Sequence, residues 1–187
     1  MNIAVLAKKG GVGKSTVSLL LYEAFRNAHR TVVIEDWDPQ GTSAKTLAMI
    51  DGQKTAPGEK PEITIWDTPP SLDHVATATA VRNANIIIVV TSPAPADVWE
   101  TKHAVEFARE KNPKAPVRII FNKFRKGTVL GKLVEDTSKN MEAPTLTTTL
   151  SERECYRHAI GQGWKALDNH ARQEVLHLAV ELLSFEN

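Results

Sequence analysis

Eight consecutive residues near the N-terminus, Lys9-Gly10-Gly11-Val12-Gly13-Lys14-Ser15-Thr16, constrain this chain more than any other stretch. They stand between an apolar run, Ile3 to Leu6, that reads as a buried strand and a segment, Lys14 to Ala28, with the period of an amphipathic helix. Gly10, Gly11 and Gly13 permit left-handed backbone, so that successive N–H groups, Val12 included, converge on one small anionic space. The helix begins at that space, and its unpaired N–H groups and positive dipole end add to the attraction. A polyphosphate fits there. Lys14 supplies a point charge near the β- and γ-phosphates, the Ser15 hydroxyl suits Mg²⁺, and Thr16 is placed to cap the helix and reach the α-phosphate.

The rest of the chain repeats the strand and helix alternation. Ile3 to Leu6, Val32 to Ile34, Ile63 to Trp66, Ile86 to Val90, Val117 to Phe121 and Leu146 to Thr149 are β-branched or apolar runs bounded by polar or turn residues. Amphipathic stretches at Lys14 to Ala28, Asp97 to Lys111, Val129 to Lys139, Ser151 to Ile160 and Leu167 to Phe185 predict helices. This order predicts an α/β fold of three layers, a mostly parallel twisted sheet with helices on both faces and ligands outside the carboxyl ends of the strands. Asp51 to Pro61 lacks periodicity and reads as a surface connection inside a single domain spanning 1–187.

Further acids and amides stand at the predicted strand ends. Asp36 and Asp38 follow the second strand, where Asp38 is free to turn toward a γ-phosphate; the Asp-Pro-Gln-Gly composition also suits a plain polar turn. Asp67 closes the strand Ile63 to Trp66, a position from which a carboxylate holds a metal-bound water opposite a phosphate loop. Asp67-Thr68-Pro69-Pro70-Ser71 is a loop stiffened by two prolines, suited to reporting whether a γ-phosphate is present. Asn122 and Lys123 end the strand Val117 to Phe121.

Lys8 stands where the strict phosphate-loop pattern has its first glycine, and Lys9 directly precedes Gly10-Gly11. In this the chain resembles the ParA/MinD superfamily of deviant Walker A ATPases, in its small ParA type. The Asp36-Trp37-Asp38-Pro39-Gln40 and Asp67-Thr68-Pro69-Pro70 runs are similar to that superfamily's two switch regions. Ser92-Pro93 with Asp97, and Ser151-Glu152-Arg153 with Tyr156, resemble stretches of compact ParA proteins. The resemblance implies a P-loop NTPase fold and an ATPase that uses ATP and Mg²⁺. It implies that Lys9 reaches across an ATP-bound homodimer to the twin's phosphates, and that Asp38 orients the attacking water, shares the metal shell and is helped by Asp36. It further implies that Ser15, Asp36, Asp38 and Asp67 surround the metal and that Asn122 hydrogen-bonds adenine. The partners it implies are nonspecific DNA, a ParB-like or McdB-like adaptor that stimulates hydrolysis, and an intracellular cargo, plasmid or carboxysome.

Composition narrows these expectations. The chain has 187 residues, 42% hydrophobic and 24% charged, with a net charge of +1, ordinary values for a globular protein without a globally basic coat. Between Lys111 and Lys139, however, stand eight basic residues and two acidic ones, which makes Lys123, Arg125, Lys126 and Lys132 the candidates for DNA. Cys155 is the only cysteine, so the chain has no intramolecular disulfide and lacks the two thiolates per subunit of a shared iron–sulfur cluster. No stretch approaches the roughly 20 apolar residues of a membrane span, and no signal peptide is read, so the expectation is a cytoplasmic, nucleoid-associated protein without membrane contact. Two alternatives remain on the same loop: a MinD-like membrane-associated ATPase, which requires a basic amphipathic C-terminal helix, and a small-molecule kinase or ligase, which requires an acceptor pocket.

Overall fold

The computed structural model describes residues 1–50, 60–129, 131, 132, 134 and 141–186. The expected connection Asp51 to Pro61 and the expected helix Val129 to Lys139 lie largely outside these residues. Five parallel strands, β1 (Asn2–Leu6), β2 (Val32–Asp36), β3 (Ile63–Asp67), β4 (Ile86–Thr91) and β5 (Val117–Phe121), form a sheet in the order β2-β3-β1-β4-β5. β3 and β4, which flank the central β1, are buried along their whole length, which is why both read as unbroken apolar or β-branched runs.

Helices cover both faces. α1 (Lys14–Asn27), α2 (Thr42–Met49), α5 (Glu154–Gln162) and α6 (Asn169–Leu183) close over one core, in which Ile3, Val5, Ile34, Ile63, Ile65 and Ile88 meet Leu20, Tyr22, Phe25, Val175 and Leu178. α3 (Val75–Asn83) and α4 (Pro95–Lys111) close over a second core of Ala4, Leu6, Trp66, Ile87, Val89, Ala80 and Val105. Alternate residues of β1 thus serve opposite faces, as the period of two requires. Each fully buried Ile, Leu or Phe contributes about 1.5–3 kcal/mol of transfer free energy, so the large helix-and-sheet core fixes where the strand ends point.

Three segments depart from the sequence reading. Leu146 to Thr149 does not form a sixth strand; the stretch meets the sheet through isolated bridges at its flanks, Ile119 with Thr145 and Phe124 with Ser151, and through the Leu146 and Leu150 N–H groups, which donate to Ile119 O and Phe121 O. The N–H groups of Thr147 and Thr148 donate instead to the Glu181 carboxylate of α6, at 2.6 and 2.9 Å, which removes them from any ladder. α2 and α3 have no counterpart in the sequence reading. α2 is short and is started by a distant carboxylate, since Asp36 Oδ2 accepts the Ala44 N–H at 2.9 Å. α3 alternates Val-Ala-Thr-Ala-Thr-Ala-Val, a strand-like period, and becomes a helix because His74 Nδ1 caps it and its Ala80 and Val81 pack under the sheet.

Candidate phosphate site

β1 delivers the chain to the carboxyl edge of the sheet beside β3 and β4, and residues 7–13 turn there into α1. Gly11 and Gly13 take left-handed φ values of 82° and 99°. At Gly13 a side chain is excluded twice over, because its Cβ would also collide with Asn122 Nδ2. Gly10 is not left-handed, contrary to expectation; the two turns at Gly11 and Gly13 suffice to curl the loop. α1 starts at Lys14 with no side-chain cap and no acid in its first turn, and the first helical bond runs from Val17 N–H to Gly13 O at 2.9 Å. Thr16 therefore does not cap the helix, as it lies inside the first turn rather than before it. An uncapped N-terminus of a 14-residue helix, free of acids, is arranged for an external anion.

The loop opens into a cleft of about 350 Å³, lined also by Asp38, Gln40, Thr42, Pro70, Lys123 and Arg157. A larger cavity of about 630 Å³, between α1, α2 and the turn Gly163–Ala166, has no such loop, and the buried Glu23 carboxylate there accepts the Trp164 N–H at 2.8 Å. Lys14 points into the smaller cleft and is only 6% exposed. Burial lowers its ammonium pKa below the usual 10.5, against the opposing pull of Asp67 and Asp38.

Asp67, fully buried at the end of β3, is the centre of the acidic side. Its Oδ2 accepts the Ser43 hydroxyl of α2 at 2.5 Å, while Oδ1 is buried without a hydrogen-bond partner. Burial raises this carboxyl above the usual 3.8, and the Ser43 hydrogen bond and the nearby Ser15 hydroxyl only partly offset it. A buried carboxylate oxygen without a partner, next to a serine hydroxyl and a phosphate loop, is the donor set that a Mg²⁺ ion takes. Ser15 and Asp67 therefore fit the metal. Ser43 was missed by sequence reading, because nothing local ties residue 43 to residue 67.

The remaining acids separate into different tasks. Asp36, expected at the metal, lies beside Asp67 in the sheet; its Oδ1 accepts the Asp38 N–H at 3.0 Å and its Oδ2 the Ala44 N–H, so both oxygens hold the turn into α2. Asp38 is half-buried on the cleft wall, with Oδ1 accepting the Gln40 N–H at 3.0 Å. Trp37 N–H bonds Asp67 O at 2.9 Å and its ring lies 5.7 Å from that of Trp66, so the turn carrying Asp38 is tied to the strand carrying Asp67.

Lys9 and Lys8 are held by α4 of their own chain. Lys9 Nζ lies 2.6 Å from Asp97 Oδ1 and Lys8 Nζ 2.7 Å from Glu100 Oε2. Burial alone would raise the Asp97 carboxyl, but hydrogen bonds from Lys9 and Ser92 outweigh it and hold the group below the usual range.

The end of β5 packs against the loop. Asn122, expected at adenine, is 4% exposed and its Nδ2 donates to Val12 O. Lys123, expected on DNA, donates from Nζ to Gly11 O at 2.7 Å. Arg125 pairs with Glu152 at 2.6 Å and Arg118 stacks over Phe185, while Lys126 and Lys132 are exposed. The described members of the basic run thus have separate partners. Ser151, Arg153 and Tyr156 converge on Glu174 of α6 with contacts of 2.7 to 3.0 Å, a network that fastens α5.

Comparison with known proteins agrees with this geometry. The profile of the CobQ/CobB/MinD/ParA nucleotide binding domain matches residues 3–164. The chain belongs to this family. It is 26% identical, over 91% of its length and 88% of the relative's, to the Maintenance of carboxysome distribution protein A of Halothiobacillus neapolitanus. The corresponding protein of Gloeobacter kilaueensis is 33% identical over 51% of each chain. Among solved structures, the fold is shared with a plasmid partition protein of Borrelia burgdorferi bound to AMPPNP (TM-score 0.78, 18% identity, 97% and 98% of the two chains). It is shared also with MinD in the MinC:MinD complex of Aquifex aeolicus (0.78, 15%, 97% and 95%). This family member is thus similar in sequence to carboxysome-distribution proteins and shares its fold with a plasmid partition protein. No helix among its described residues is long and apolar enough to cross a membrane.

Proposed function

We propose that this family member is a Mg²⁺-dependent ATPase of the ParA type that distributes an intracellular cargo, a plasmid or a protein body such as the carboxysome, over nucleoid DNA. The observation that carries the reading is the meeting, at one cleft, of an acid-free uncapped helix start and a buried lysine, with a buried carboxylate oxygen without a partner, on Asp67, close enough to the lysine to act on its charge. The likeness to carboxysome distribution proteins over nearly the whole chain supports the choice of task.

The loop N–H groups and Lys14 bind and orient the triphosphate. Magnesium, when bound, offsets charge on the β- and γ-phosphates, with Ser15 and Asp67 as the residues that would hold it. Asp38 orients the attacking water from the cleft wall. Lys9 leaves Asp97 and reaches the nucleotide of a second copy, so the ATP state is a homodimer. Of the four cations expected on DNA, Arg125, Lys126 and Lys132 keep that role, doubled by dimerisation, and a ParB-like or McdB-like adaptor stimulates hydrolysis and release. Asp38→Ala should bind ATP, fail to turn it over and accumulate as a dimer in light scattering. Normal turnover by this variant removes Asp38 from the mechanism, and a wild-type protein that stays monomeric with ATP and Mg²⁺ at high concentration removes the cycle.

A further inference from the structure

A loop that points its N–H groups at an anion must point its carbonyls the other way, and those carbonyls then need donors of their own. Here three successive carbonyls have them. Gly11 O accepts Lys123 Nζ at 2.7 Å, Val12 O accepts Asn122 Nδ2 at 2.9 Å, and Gly13 O accepts the Val17 N–H that opens α1. Two donors therefore come from adjacent residues at the tip of β5, which reaches past β4 to the loop after β1.

Neighbouring side chains on a strand point to opposite faces, so Asn122 and Lys123 share one target only if the strand period is broken between them. It is broken there. Asn122 N–H still bonds Thr91 O of β4 at 2.8 Å, whereas Lys123 adopts a left-handed φ of 58°, one of only two such non-glycine residues among those described. That conformation is unfavourable for a side chain bearing a Cβ and persists where surrounding contacts impose it. Asn122 is nearly fully buried and occupies the space that a Cβ at Gly13 would need, so loop and clamp are shaped to each other.

We infer that Asn122 and Lys123 are positioning residues that pin the outward carbonyls of Gly11 and Val12 and so hold the phosphate loop in its anion-binding shape before nucleotide arrives. The inference rests on the reading of this loop as the phosphate site. It assigns Lys123 to the loop carbonyl in place of the DNA role that its surroundings in the sequence suggest.

The test compares wild type, Lys123→Met, Lys123→Gly and Lys123→Arg by calorimetry with ADP, by thermal melting, and by hydrogen exchange of the Gly11 to Gly13 amides in nucleotide-free protein. Loss of one charge-assisted hydrogen bond predicts roughly tenfold weaker ADP binding for the Met and Gly variants. It also predicts faster loop exchange without nucleotide, with most of both restored in Lys123→Arg. The Gly variant should melt no lower than wild type, since glycine relieves the left-handed backbone; affinity and stability then move apart, which a merely structural role would not produce. Weakened ADP binding with unchanged loop exchange would overturn the inference in favour of a direct phosphate contact, and unchanged affinity together with unchanged exchange would remove it altogether. Should wild type bind no ADP, the phosphate-site reading falls, while loop exchange still decides whether the clamp exists.

Discussion

On the proposed cycle, freeing Lys9 is the step on which dimer formation depends, and Asp97→Asn isolates it. In the single chain the Lys9 ammonium sits 2.6 Å from Asp97 Oδ1, and Ser92 Oγ donates to the other carboxylate oxygen at 2.5 Å. The substituted amide is close in shape and its carbonyl can still accept from Ser92, so the change removes charge with little effect on packing. Lys9 is about half exposed, 51%, while Asp97 is 12% exposed, so the pair lies between a screened surface bridge and a buried one. We therefore assign it about 1 kcal/mol, below the 1.5–3 kcal/mol of a well-shielded bond to a charged group. Two subunits must each release one such bond, so the ATP dimer should gain about 2 kcal/mol, roughly a thirtyfold larger association constant. Glu100 lies one turn further along α4 and holds Lys8, and it is close enough to recapture Lys9. The double variant Asp97→Asn/Glu100→Gln should accordingly show the gain in full. Sedimentation equilibrium with ATP and Mg²⁺, in an Asp38→Ala background that holds the nucleotide intact, reads the constant directly, and the gain should shrink in high salt. A dimer constant unchanged or lower in both variants would refute the reasoning and make Asp97 a guide for Lys9 rather than a restraint.

Asp67 gives a prediction in pH. Burial raises its folded pKa above the usual 3.8, so the folded state holds the proton more tightly than the unfolded one. The stability this group contributes is present at acid pH and is lost as pH rises through the folded pKa. Mg²⁺ needs the carboxylate, so metal-dependent nucleotide binding should fail in the opposite direction, as pH falls through that same raised value. Ser43→Ala removes a hydrogen bond that lowers the pKa and should move the failure to higher pH; fluorescence of the Trp37 and Trp66 pair follows it, and an unmoved midpoint contradicts the assignment. Glu181→Ala withdraws the acceptor of two backbone N–H groups, Thr147 and Thr148, and should cost about 2 kcal/mol in urea unfolding. A loss below about 0.5 kcal/mol would mean that water replaces the carboxylate there.

The strands were legible because parallel strands buried on both faces leave unbroken apolar runs, as in Ile86 to Val90. The false strand at Leu146 to Thr149 has the right residues and the wrong partner: Glu181 lies more than 30 positions away and takes its N–H groups. α2 and α3 were hidden for related reasons, since the first is started by Asp36 from the end of β2 and the second is helical against its own period. In the false strand the Glu181 carboxylate, and in α3 the packing of Ala80 and Val81 against the sheet, overrode local preference.

The site shows the same division. Its glycines, Lys14 and Ser15 act through residues next to them in the chain, so their spacing announces the chemistry. Ser43 with Asp67, and Asn122 and Lys123 with the loop, act across 24 to 112 residues, and no spacing rule connects them. The basic run from Lys111 to Lys139 carries contacts that a charge count does not reveal. Its members leave in different directions, Lys111 to Glu110, Arg118 over Phe185, Lys123 to Gly11 O and Arg125 to Glu152. A cation already paired with a carboxylate must give up that partner before it neutralises a phosphate, which reduces the gain from counterion release. Lys126 and Lys132 are thus the side chains whose removal should lower the salt dependence of DNA retention most per charge, and Arg125 the one whose removal should lower it least.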